Sequence, residues 1–267
     1  GLKGTGNELK IAIVEGDNLY HDLDQLYPEK ANFKDMEDGQ SFDRIKDSVQ
    51  SANAYLGVGP IIRALEEKPD VVIAGRVTDT SISIAPMIYE FGWELYDWDK
   101  LASGLIAGHM MECGAQSTGG NYTDWEKVPK WTNFGYPVTE VFPDSSFIMT
   151  KHPGTGGLIN ADTVREQLVY EMGDPKNYLS PDVIADFSSI QIEDLGDDRV
   201  RVFGVKGRPS TPFLKVSMAF EDGFKAKGSV IISGGKALEK AEVFEQIFWD
   251  RLNLNFEKKN TEYVGFN

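Results

Sequence analysis

His109, Glu112, Cys113 and Gln116 stand close together in the stretch 108–120, just ahead of Ser117, Thr118, Gly119 and Gly120. Cys113 is the only cysteine, and His109 is one of three histidines. On a helix, His109 and Cys113 lie one turn apart on the same face. An adjacent imidazole would favour a thiolate and make Cys113 a candidate nucleophile, with His109 and Glu112 available for acid–base work. The plain alternative is packing, because unpaired cysteines are among the most buried residues. His109, Glu112 and Cys113 also look like a fragment of a metal site. No further ligand stands at a helical zinc spacing, so no metal is assigned. Gln116, Thr118 and Gly119 open a polar, glycine-rich run whose backbone amides could hold an oxyanion, although a simple helix exit reads the same way.

Two other places carry ligand-binding residue types. Arg76, Thr78 and Asp79 follow an apolar run at 71–74, where a parallel strand would end, and ligands of open α/β sheets gather at such ends. The planar fork of Arg76 suits a carboxylate or phosphate, Thr78 offers a hydrogen bond, and Asp79 could move a proton. The competing reading makes Asp79 or Thr80 a helix cap and Arg76 part of an internal ion pair. Glu15 and Asp17 fall at the end of an earlier strand, where an acidic cap explains them equally well. Farther on, Lys151, Gly154, Thr155, Gly156 and Gly157 form a glycine-rich loop between a strand and a helix. A basic entry, mobile backbone and a helix N-terminus together suit an anion or pyrophosphate, while a structural turn needs the same glycines. The loop matches neither the Walker spacing nor Gly-x-Gly-x-x-Gly, so no cofactor is assigned.

The elements that must position these groups follow from periodicity. Residues 9–14 and 71–74 read as buried strands, and 18–26, 61–67, 82–91 and 100–112 as helices. The last of these has small and apolar residues on most of its surface, which suits close packing and carries the 108–120 stretch inward. Residues 28–51 read as a polar surface excursion. After a junction rich in tryptophan at 121–131, residues 138–142 and 147–150 suggest a hairpin. A helix from 161 to 171 would be capped by Asn160 or Asp162. Strands are expected at 190–193, 199–202, 214–220 and 224–232, and a final helix at 237–252 would pack Phe244, Ile247 and Phe248 on the sheet. The fold class expected is α/β: a parallel-sheet, Rossmann-like half over residues 1–130, followed by an α+β half over 131–267 with a mainly antiparallel sheet.

The balance of 27 Lys plus Arg against 42 Asp plus Glu gives a net charge of −15 and argues against nucleic acid or an anionic membrane as partner. No apolar run is long enough to cross a bilayer, and a single cysteine suits a reducing compartment. A soluble, cytoplasmic protein with a small-molecule substrate, forming a homo-oligomer, is expected.

The ordered motifs at 51–57, 75–79, 90–93, 108–120 and 153–157 together resemble the acyclic terpene utilisation AtuA family, and the resemblance runs from the strand at Leu9 to the final helix. Family members carry more α/β structure before that strand, and some have a small ferredoxin-like domain after the last helix. The expectation is therefore a core fragment in which part of the site is missing. Tyr89 stands where many members have a histidine, so no role is carried to that position.

The resemblance implies a place in acyclic terpene and branched-chain acyl-CoA breakdown, beside acyl-CoA carboxylases and dehydrogenases, without naming a reaction. Joined to the residues above, it favours a non-redox enzyme that hydrates, dehydrates or isomerises an acyl-CoA-type or carboxylate substrate. A non-catalytic subunit that binds a metabolite or organises partner enzymes is the rival, and a metal-dependent hydrolase stands third.

Overall fold

A computed structural model of the chain describes residue 6, residues 8–29 and residues 33–265. Part of the expected excursion, residues 30–32, lies outside the described residues. The chain divides into two compact units, one ending at Glu221 and the other beginning at Asp222.

The first unit opens with β1 (Ile11–Val14), α1 (Leu23–Glu29), β2 (Val49–Ala54), α2 (Val58–Glu66) and β3 (Val71–Ala74). β1 and β3 pair in parallel, from Ile11 opposite Val71 to Val14 opposite Ala74. This is the one parallel strand pair among the described residues; the other sheets are antiparallel. The fold is thus mixed helix and sheet, and the larger parallel Rossmann-like sheet is not seen. Strand alternation puts Ile11, Ile13 and Ile73 on one face of the pair, and all three are exposed, whereas Val14 on the other face is buried. Both were expected to be buried strands, and only one face of the pair is covered.

α3 (Ser81–Phe91) and α4 (Trp98–Glu112) follow. Every residue from Leu101 to Met110 is buried, as the apolar and small-residue composition of this helix requires. Its glycines let neighbours close in: a methyl group on Gly108 would lie 3.1 Å from the Cα of Thr80 at the start of α3. α4 is the central member of a core that also takes Val58, Ile61 and Ile84 from the earlier elements.

The other side of that core comes from β4 (Pro137–Val141), β5 (Phe147–Lys151), α5 (Ala161–Leu168), β6 (Tyr178–Leu179), β7 (Val183–Asp186), β8 (Gln191–Gly196), β9 (Arg199–Phe203) and β10 (Lys206–Pro209). Phe147, Met149, Val164, Val183, Val200 and Val202 are its buried members. The expected hairpin is β4–β5, inside a four-stranded antiparallel sheet of order β4-β5-β9-β8. A second sheet has the order β10-β7-β6. α5 begins on a full capping box, in which the Asn160 side chain accepts from the amides of Asp162 and Thr163 while Thr163 Oγ1 accepts from the Asn160 amide.

β11 (Val216–Phe220) turns back to the beginning of the chain and pairs antiparallel with β2, Val216 opposite Ala54. Residues 51–54, where no strand was expected, are therefore strand. In the second unit, the strand expected at 224–232 is not formed, and Phe224 and Ile231 are almost fully exposed. α6 (Ala237–Arg251) forms as expected, and within this unit Phe244 and Phe248 stack on each other at a centroid separation of 6.1 Å. Among the described residues no helix is long and apolar enough to cross a membrane.

Candidate functional site

The ends of β1 and β3 meet at Asp17. Its carboxyl is held below the usual carboxylate range, first by the backbone N–H of Arg76 and then by the Asn53 amide, whose Nδ2 donates at 2.8 Å, against the cost of burial. A side chain on Gly75 would collide with this carboxylate, so the strand end needs glycine there for space. Arg76 stays accessible: its side chain is 46% exposed and lies 3.9 Å from Asp79, itself 64% exposed. That spacing is an ion pair and too long for a charge-assisted hydrogen bond. Beside them, the hydroxyls of Thr78 and Thr80 are buried without a hydrogen-bond partner among the described residues.

Neither Asp79 nor Thr80 caps α3 through its side chain. The carboxylate of Asp182, from the segment before β7, accepts from the Val58 amide at 2.8 Å and from Ser81 Oγ at 2.5 Å, tying together the first turns of α2 and α3. Burial raises its pKa, and those two bonds oppose the shift.

At the C-terminal end of α4, His109 is fully buried. Its Nε2 lies 3.0 Å from the carbonyl oxygen of Gln167 and its Nδ1 3.1 Å from Glu112 Oε1. A carbonyl only accepts, so Nε2 carries a proton. The Gln167 amide donates to the His109 carbonyl at 3.3 Å, and Gln116 Nε2 donates to Gln167 Oε1 at 3.3 Å. Tyr178 and Phe187 close over the ring, each with a centroid separation of 6.0 Å. His109 is thus clamped between helices.

Cys113 sits at the end of the same helix, and burial pushes its thiol pKa up, with the charges of Glu112, Glu171 and Asp79 adding to the rise against a Gln167 hydrogen bond. The thiolate is disfavoured here. The same carboxylates, behind burial as the main cause, push the Tyr178 hydroxyl up to about 12. Gly108 of α4 packs against Thr80, so this helix passes beside the segment that follows β3. Among the described residues, no three His, Cys, Asp or Glu side chains are grouped to hold a metal ion.

The two glycine-rich loops behave differently from an anion cradle. The amides of Gly156, Gly157 and Leu158 donate to the carbonyls of Asn133, Pro129 and Thr118, and Thr155 N donates to His152 O at 3.4 Å. Lys151 pairs at 2.8 Å with Asp198 and also donates to Thr155 O. Likewise Gly119 N donates to Gln116 O, and Thr118 Oγ1 donates to Gly135 O at 2.6 Å. A side chain on Gly157 would press on Thr118, so these glycines allow the two loops to pack together. Among the described residues, the Gly154 amide is thus the one in the 154–157 loop left without a backbone acceptor. Next to this packing, Gln116, Asn121, Tyr122, Thr163, Glu166 and Gln167 line a small polar pocket.

Arg76, Thr78 and Asp79 lie together past the end of β3, His109 is enclosed with Glu112 on its Nδ1 side, and Gln116 is tied to Gln167. Lys151 is engaged with Thr155 and Asp198 and Gly157 with Thr118, while Gly154 and Gly119 face Lys130 and Leu158. Asn53, Tyr178, Gln167 and Asp182 were not singled out from sequence. Only the Pro181-Asp182 step after Ser180 carried a local signal, that of a turn.

No curated protein and no solved structure matches the chain. The model of the family described as acyclic terpene utilisation family protein AtuA matches residues 2–267, and the chain belongs to that family.

Proposed function

We propose that the chain is an enzyme of acyclic terpene or branched-chain acyl-CoA breakdown, carrying out a hydration, dehydration or isomerisation on an acyl-CoA-type or carboxylate substrate. The observation that carries this reading is the position of Asp79, exposed beside Arg76 just past the end of β3. Such reactions move a proton at carbon next to a carbonyl and need a base, an anchor for the acid group and a donor for the developing oxyanion. Asp79 is the base, Arg76 the anchor, and the Tyr178 hydroxyl, kept protonated by its surroundings, the donor. Glu112 is the second acid–base group, and His109 is a positioning residue that holds it. The unit β1–α2–β3 serves as the Rossmann-like part, in the half before residue 130, with its strand ends at the site.

The test is an assay of the purified chain on methyl-branched and isoprenoid acyl-CoA thioesters and the corresponding free acids, with products identified by mass spectrometry. Gain or loss of water, or a shifted double bond, is expected for at least one of them. Absence of turnover across the panel overturns the reading.

A second reading, a non-catalytic metabolite-binding or scaffolding subunit for acyl-CoA carboxylases or dehydrogenases, draws on the enclosed His109 and the disfavoured thiolate of Cys113. Ligand binding without turnover, together with stable co-purification with such an enzyme, would favour it.

A further inference from the structure

Three neighbouring stretches of backbone put Lys215, Tyr55 and Arg76 in one row. Val216 stands opposite Ala54 in the antiparallel β2–β11 pair, and the Tyr55 amide donates to the Lys215 carbonyl at 2.9 Å, so Lys215 is the next partner, opposite Tyr55. On the other side, Leu56 forms a parallel bridge with Val77, and its amide donates to the Arg76 carbonyl at 3.3 Å. Arg76 is therefore beside Tyr55 in the parallel direction. Residues at matching positions of adjacent strands point to the same face.

The side chains bear this out. Arg76 Cζ is 5.1 Å and Lys215 Nζ 5.2 Å from the centre of the Tyr55 ring. Each cation is held by the ring, and the two charges are at most twice that distance apart. Among the described residues, Tyr55 is the one ring with two cations against it. The carboxylates facing the row are Asp79, at 3.9 Å from Arg76, and Asp17, which is buried and bound to the Arg76 amide and to Asn53. Lys215 has no ion pair among the described residues, and neither cation's side chain donates a hydrogen bond to another described residue. In a chain of net charge −15, two cations with unused donors on one ring are a local exception.

We propose that Lys215, Tyr55 and Arg76 form the binding row for a phosphoryl or diphosphoryl group of the substrate. This rests on the reading of Arg76 as an anion anchor and extends it. A single carboxylate is satisfied by the fork of Arg76 alone. Two cations approaching from separate strands match a group with more oxygens and more than one negative charge. Tyr55 spaces them and keeps their long side chains from collapsing into solvent.

The test is calorimetric titration of the full chain with inorganic pyrophosphate at low salt, repeated with acetate and with coenzyme A. Pyrophosphate is expected to bind the wild type. Lys215→Ala and Arg76→Ala should each weaken it roughly tenfold or more, while Lys259→Ala, which removes a cation from the Trp249 ring, leaves it unchanged. Lys215 is exposed, and thermal melts of its variant should match the wild type. Coenzyme A displacing pyrophosphate would assign the phosphoryl group to a nucleotide-bearing thioester. Pyrophosphate binding without competition by coenzyme A would assign it to a smaller phosphorylated acid. Failure of pyrophosphate to bind, or equal affinity in Lys215→Ala, overturns the proposal. Acetate binding that is lost in Arg76→Ala and kept in Lys215→Ala, with no pyrophosphate effect, would sink the row and leave the Arg76 anchor standing.

Discussion

His109 and Gln167 bind each other twice, through Nε2 of the ring on the Gln167 carbonyl at 3.0 Å and through the Gln167 side chain on the His109 carbonyl at 3.3 Å. This pair joins α4 to α5 in the interior, with the Glu112 carboxylate completing the second ring nitrogen. Replacing His109 by Ala leaves a cavity and a buried carbonyl without its donor. A loss on the order of 2–4 kcal/mol is expected. Urea denaturation measures it, and an unchanged midpoint would show that the clamp carries little.

Gly75 and Gly59 separate two reasons for glycine. A methyl group at Gly75 meets the Asp17 carboxylate, whereas one at Gly59, within α2, meets open space. Gly75→Ala should destabilise by about 1–3 kcal/mol and disturb the Arg76 amide bond to Asp17. Gly59→Ala should be neutral or stabilise by up to about 1 kcal/mol through helix propensity. Equal shifts in melting temperature for the two variants would contradict this account of the strand end.

For Cys113 the raised pKa sets the direction of its pH response. At neutral pH the thiol is protonated more fully than a free cysteine, and its thiolate appears only at a higher pH. Alkylation by iodoacetamide, followed by mass spectrometry across a pH series, should rise later than that of free cysteine. Cys113→Ser should keep any turnover. A reactivity midpoint below that of free cysteine, or loss of activity in the serine variant, would restore the thiol as a nucleophile.

Local signals made several elements legible. The period of α3 and α4, the hairpin β4–β5 and the Asn160 cap each depend on residues a few places apart, and each forms where expected. β2 was missed because Ser51, Ala52, Asn53 and Ala54 are weak strand formers whose partner, β11, comes from near the end of the unit. The alternation at 224–232 described an extended backbone without supplying a partner strand.

At the site, composition located Arg76 and Asp79 correctly at a strand end, since β3 itself was legible. The glycine loops left two readings open, because glycine permits both an anion nest and close packing of one loop on another. The acceptors that decide between them, Pro129, Asn133 and Thr118, are far from Gly156 and Gly157 in sequence. Asp182 and Lys215 likewise reach α2 and Tyr55 only through the tertiary fold.

Steady-state kinetics of Asp79→Asn and Arg76→Ala, on a branched thioester that the wild type turns over, test the site most directly. Asp79→Asn should lower kcat roughly 10²–10⁴-fold with little change in KM. Arg76→Ala should raise KM about 10–100-fold, as loss of a charge-assisted anchor does. Wild-type kcat and KM in both variants would contradict the assignment of base and anchor.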